Sequence, residues 1–192
     1  AQARESGGWG AEPKARGDMA YLGWHMLALN SAKIAKLEIP KTALAGATNF
    51  LNITQQGGGA YYGSLAPGKS PAPTAIGLLG RMQLGWNRDT PALAQGIEYL
   101  DELGPNPQDM SFNFFASQGM FQAGGDVWTR WNERMKKLLL DGQVTRGEFR
   151  SDRGSWTPAG QQASHPGGRL AETALALMTL EIYYRHAPLQ LD

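Results

Sequence analysis

Gly57-Gly58-Gly59-Ala60-Tyr61-Tyr62-Gly63, a turn of glycines and aromatics, leads into an apolar helical stretch aligned on Thr74. That succession decides the fold, because it recurs. Gly7-Gly8-Trp9-Gly10 precedes a similar stretch aligned on Leu22, and Gly154-Ser155-Trp156 precedes one aligned on Thr173. A fourth stretch, aligned on Ser117, has the helical character without the aromatic turn. The spacings between the four anchors are 52, 43 and 56 residues. A period of about 50 predicts stacked helical hairpins, none able to bury its apolar face alone.

Outward from these anchors, seven helices are predicted, joined by connections rich in Gly and Pro. The first covers about 18–37, with Asp18 as its N-cap. The second opens on Pro40 and runs to about 52. The third spans about 74–84. The fourth is capped by Thr90, opens with Pro91 and ends near Leu103. The fifth covers about 111–123 and stops at Gly124-Gly125. The sixth runs from Asp126 to about 140, and the last from about 169 to 186, before Pro188. No segment alternates with the period of two that a half-buried strand needs.

These helices are of two chemical kinds. The second, fourth and sixth are striped. In the sixth, Trp128, Trp131, Met135 and Leu138 form one apolar line, while Arg130, Glu133, Arg134 and Lys137 take the wet face. The third and seventh are apolar nearly all round, as in Ala75-Ile76-Gly77-Leu78-Leu79-Gly80. A helix apolar on every side is expected to be buried on every side. The expectation is therefore an all-α, single domain over 1–192: odd-numbered helices in an inner layer, even-numbered ones in an outer layer. Gly23, Gly77, Gly80 and Gly119 would let the inner helices approach closely.

Composition narrows the function classes. Lys plus Arg number 18 and Asp plus Glu 17, so the strong basic excess of an electrostatic nucleic-acid binder is missing. The chain has no cysteine, which excludes disulfides, thiolate metal sites and a Cys nucleophile. No run of apolar residues is long enough for a membrane span. Gly8-Trp9 arrives ahead of any helix, as in a trimmed or processed chain. Export, or membrane tethering through a removed N-terminal segment, is compatible with that start.

Inner helices, outer helices and Gly-aromatic turns together resemble the α/α toroid of terpenoid cyclases and protein prenyltransferases. The turns resemble degenerate forms of the glutamine-tryptophan repeat of squalene-hopene cyclases. Gln143 precedes Gly154-Ser155-Trp156, and Gln55 or Gln56 precedes Gly59-Ala60-Tyr61, with Tyr in place of Trp. The chain is also similar to bacterial prenyltransferase/squalene oxidase repeat proteins, common in planctomycetes and without an established activity. Gly23-Trp24-His25-Met26-Leu27-Ala28-Leu29, Gly124-Gly125-Asp126-Val127-Trp128 and Thr173-Ala174-Leu175-Ala176-Leu177 carry that likeness. It covers nearly the whole chain and implies a partial α/α toroid of about seven antiparallel helices.

The family's enzymatic motifs are missing. There is no Asp-x-Asp-Asp acid of the class II cyclases, no cysteine for the zinc of protein prenyltransferases, and no aspartate-rich magnesium site. Asp101-Glu102 is an isolated acidic pair on an outer helix. His25, His165 and His186 have no metal-ligand spacing, so no metal and no cofactor are assigned. No residue is given a catalytic role. Glu172 is the nearest to a candidate, as an acid on an inner helix; its ordinary alternative is a first-turn charge or an i, i+3 pair with Arg169. Glu181 has a similar ordinary partner in Arg185. Trp24, His25, Phe114, Phe115 and Phe121 are the candidates for an apolar ligand pocket, with core packing as the alternative. The loop 145–153, with Arg146, Arg150 and Arg153, reads as solvated because Glu148 and Asp152 are interleaved. These readings imply a non-catalytic binding or protein-interaction module whose partner is a protein, a glycan or a lipid-like ligand. An enzyme of isoprenoid chemistry, or a degenerate remnant of one, is the alternative.

Overall fold

The helices begin where local chemistry supplies a cap. Asp18 accepts from the Ala20 amide at 2.8 Å, and Asp109 accepts from the Phe112 amide at 2.8 Å, each satisfying a backbone donor that the first turn leaves open. The computed structural model describes residues 2–3, 6–146, 149–160 and 167–185. His165, His186 and Glu148 lie outside them, as does the end of the predicted last helix. The described residues form α1 (Met19–Ile34), α2 (Lys41–Thr54), β1 (Gln55–Gln56), β2 (Tyr61–Tyr62), α3 (Pro71–Gln83) and α4 (Pro91–Leu103). There follow α5 (Met110–Ala123), α6 (Gly125–Gly142), α7 (Gly168–Leu180) and α8 (Ile182–Arg185). The fold is all-α apart from one short ladder.

Several boundaries differ from the sequence reading: α1 ends at Ile34 rather than about 37, and α2 starts at Lys41, after Pro40. α3 starts at Pro71 rather than near Thr74, because proline's fixed φ suits the first helical turn, where its missing N–H is no loss. The predicted last helix is divided at Glu181 into α7 and α8.

The chain divides into two compact units, one reaching Leu100 and one starting at Asp101, with the boundary inside α4. In the N-terminal unit, α1 and β2 pack against α3. In the C-terminal unit, α5 packs against both α6 and α7.

Burial follows the stripe chemistry for the even helices. Ala47, Phe50, Leu51 and Thr54 are the buried line of α2; Leu93, Gly96, Ile97 and Leu100 are that of α4. On α6 the line is Trp131, Met135 and Leu139, with Trp128 and Leu138 only half-buried at its flank. Among the odd helices, α3 is buried without a break from Thr74 to Met82, and α5 over most of its length. The other two odd helices depart from expectation. α1 buries one face through Met19, Leu22, Gly23 and Met26, and α7 one face through Glu172, Leu175, Ala176 and Thr179. Leu177 is 45% exposed and Leu170 81% exposed, so the all-round apolar character of α7 is not matched by all-round cover.

The inner glycines also differ from one another. A Cβ on Gly77 would stand 2.4 Å from the Tyr62 ring, so this glycine is what lets β2 lie on α3. Nothing lies within 4 Å of a Cβ built on Gly119. Close approach therefore accounts for Gly77 and not for Gly119.

Two of the three Gly-aromatic turns share one construction. Gln55 pairs with Tyr62 and Gln56 with Tyr61 in an antiparallel ladder, and Gln143 pairs with Trp156 in an isolated antiparallel bridge. The Tyr62 amide donates to Thr74 Oγ1 at 3.0 Å, and the Trp156 amide donates to Thr173 Oγ1 at 3.1 Å. A glutamine and an aromatic thus pair as strands, and the aromatic's backbone is anchored to a threonine in the next helix. Thr74 and Thr173 are two of the positions on which the repeats align. Trp156 also donates through Nε1 to the Leu139 carbonyl at 2.8 Å, joining α6 to α7. In the fourth copy, Ser117 Oγ accepts from Trp131 Nε1 at 2.8 Å.

Candidate functional site

A semi-enclosed pocket of about 330 Å³ opens in the N-terminal unit. Met26, Leu29, Asn30 and Lys33 from α1, Ile39 from the following connection, Leu44 from α2, and Gln83, Leu84 and Gly85 at the end of α3 line it. α1 and α3 both contribute C-terminal residues, so they run in the same sense beside one another. The helical period explains the lining: Met26, Leu29, Asn30 and Lys33 fall at i, i+3, i+4 and i+7, one face of α1. Met26 is fully buried, Leu29, Ile39, Leu44 and Leu84 are half-buried, and Lys33 is exposed. The Gln83 side-chain oxygen is buried with no hydrogen-bond partner. A buried acceptor without a donor costs roughly 1–3 kcal/mol. The volume lies at the small end of the range for small-molecule sites, about 300–1,000 Å³.

The pocket candidates named from sequence lie in both units. Trp24 and His25 sit on the solvent side of α1, Trp24 being 44% exposed. His25 Nδ1 lies 2.8 Å from the Tyr21 carbonyl, and its ring stacks on Trp9 at 4.6 Å and 9°. This stack holds the first Gly-aromatic turn against α1. In the C-terminal unit, Phe114 and Phe115 are core residues meeting edge to face at 5.2 Å. Phe121 is half-buried, with its ring 5.3 Å from Trp128.

Glu172 is buried on α7. Burial pushes its carboxyl above the ordinary range, and the negative charge of Asp109 pushes it the same way. Asp109 is itself raised by burial, against the opposing pull of hydrogen bonds from the Phe112 and Ser111 amides. Arg169 does not pair with Glu172. It bonds Ser155 Oγ and Thr157 Oγ1, both at 3.0 Å, and lies 3.7 Å from Asp152. Among the described residues no group of His, Asp and Glu could hold a metal ion, and no helix is long and apolar enough to cross a membrane.

Two further clusters are structural. Arg81 is buried in α3, its guanidinium held by neutral oxygens: Tyr62 Oη at 3.0 Å, Asn52 Oδ1 at 2.7 Å and Gln55 Oε1 at 3.3 Å. It also faces the Trp86 ring at 5.0 Å, which ties the ladder to α3. The Tyr62 phenol is raised by burial, with the Arg81 hydrogen bond and charge acting against it. In the C-terminal unit Asp101 is clamped by Arg130, at 2.7 Å, and by Arg134. That clamp gives the Asp101 carboxylate, one half of the acidic pair, two guanidinium partners.

Sequence reasoning missed the pocket. Its lining combines one face of α1 with residues from the start of α2 and the end of α3, which only tertiary packing brings together. One signal was present: Ile34 at the end of α1 and Leu37 and Ile39 in the connection to α2 crowd a stretch where polar residues are usual, and Ile34 and Leu37 are 68% and 64% exposed. Comparison of the chain with family models, curated proteins and solved structures returned no match.

Proposed function

We propose that this chain is a non-catalytic binding module built on a squalene cyclase/prenyltransferase-like repeat, a partial α/α toroid, and that it takes the apolar part of a lipid-like ligand. The observation that carries the binding role is the pocket beside Met26, Leu44 and Leu84, whose walls are mostly apolar. The toroid reading is supported by the matching Gln55–Tyr62–Thr74 and Gln143–Trp156–Thr173 arrangements. The non-catalytic reading rests on chemistry. Alkene protonation needs a concentrated, positioned acid, and departure of a diphosphate needs metal or strongly cationic assistance.

Methyl NMR of the purified chain titrated with octan-1-ol tests the binding role. Shifts concentrated on Met26, Leu29, Ile39, Leu44 and Leu84 support it. An unchanged spectrum up to the solubility of the alcohol removes it.

A second reading, an isoprenoid enzyme or its remnant, is favoured by one observation: Glu172, a buried carboxyl held towards its protonated form. A product formed from polyprenes, or from prenyl diphosphates with magnesium or zinc, and abolished by Glu172→Gln, would establish that reading.

A further inference from the structure

The lining of the N-terminal pocket is chemically uneven, and the unevenness selects a ligand class. Its buried end is Met26, an apolar side chain only 3% exposed. Its single titratable lining residue is Lys33, exposed in the last turn of α1 and engaged in no ion pair among the described residues. An apolar tail is therefore matched at one end and a negative charge at the mouth. From this we propose that the pocket binds an anionic amphiphile, a medium-length alkyl chain ending in a carboxylate.

A cationic amphiphile has one feature in its favour. The C-terminal carbonyls of α1 and α3 face this region of the unit, and helix C-termini favour cations. Two features weaken that pull. At the end of α1, the Ala35 and Lys36 amides bond the Ser31 and Lys33 carbonyls. At the end of α3, the Leu84, Gly85 and Trp86 amides bond the Gly80, Arg81 and Met82 carbonyls. The Lys33 ammonium is a full charge against these residual dipoles. It acts at a wet mouth, so its effect is modest and salt-dependent.

The inference rests on the binding role proposed above, and calorimetry separates the two. Octan-1-ol, octanoate and octyltrimethylammonium are titrated into the intact chain at low and high salt. Octanoate is expected to bind about threefold or more tighter than octyltrimethylammonium at low salt, with the gap narrowing at high salt. Lys33→Glu should reverse that order; Lys33 is exposed, so the fold should tolerate the change. Equal or tighter binding of the cation overturns the proposal and leaves the binding role standing. If none of the probes binds, octan-1-ol included, the binding role itself fails.

Discussion

The backbone amide of Trp156 donates to the hydroxyl of Thr173 at 3.1 Å, across 17 residues of chain. The same bond joins Tyr62 to Thr74 at 3.0 Å across 12 residues. In each case the aromatic stands opposite a glutamine, Gln143 or Gln55. The loops between differ in length, so the likeness lies in where an extended residue pair is fastened to the next helix. An edge residue has a backbone donor with no strand partner, and a threonine one turn into the helix supplies the acceptor. The aromatic ring then fills the gap: Tyr62 over Gly77, and Trp156 beside Gly142 with its indole N–H on Leu139.

Trp156 is 4% exposed and bonded at both its backbone and its indole nitrogen. Trp156→Ala should destabilise the protein by about 3–5 kcal/mol, the range for emptying a large aromatic site. Thr173→Val keeps the shape and removes the acceptor, and should cost about 1–3 kcal/mol. Chemical denaturation measures both, and hydrogen exchange at the Trp156 amide should speed up in the valine variant. An unchanged midpoint for Trp156→Ala would show the turn to be a surface ornament.

Two inner-helix glycines should respond in opposite directions. Gly77→Ala drives a methyl into the Tyr62 ring and should cost about 1–3 kcal/mol through overpacking. Gly119→Ala enters open space inside a helix and should stabilise by roughly 0.5–1 kcal/mol, the difference in helix preference between the two residues. Thermal unfolding of the two variants under one buffer gives the comparison. Stabilisation by both would mean that the ring of Tyr62 gives way freely, and destabilisation by both would mean that the space beside Gly119 is filled.

The buried carboxyls fix the sense of a pH effect. Glu172 and Asp109 are both raised in the folded state. Between their unfolded and folded pKa values the native state holds more protons than the unfolded chain, so stability falls as pH rises through that window. It is recovered on acidification until the window is passed. Glu172→Gln, which mimics the protonated acid, should therefore raise the melting temperature near neutral pH and flatten its dependence on pH. Calorimetric melts at successive pH values check this; a steeper dependence in the variant would contradict the assignment.

How far the sequence reached depended on periodicity. Stripes on α2, α4 and α6 were legible because an amphipathic helix writes its buried face at every third or fourth residue. Asp18 was legible as a cap because a carboxylate before an apolar run has a specific local use. The cover over an apolar helix was not legible: composition treats Ile76 and Leu177 alike, yet one is 5% and the other 45% exposed. What decides between them is how many neighbours the chain brings to each face, a tertiary quantity. The two-residue ladder escaped notice because strands so short carry no alternation. The pocket escaped because its walls come from three helices and a connection, gathered from Met26 to Gly85 by packing.

The central claim, that the N-terminal pocket holds the apolar part of a ligand, is met most directly by affinity as a function of chain length. Linear alkan-1-ols from hexanol upward, titrated by calorimetry, should bind more tightly by about 0.8 kcal/mol for each methylene buried, close to fourfold in Kd. The gain should stop once about 330 Å³ is filled, and Leu44→Trp, which occupies the pocket, should abolish the series. Affinities that ignore chain length, or a series that survives Leu44→Trp unchanged, would contradict the account.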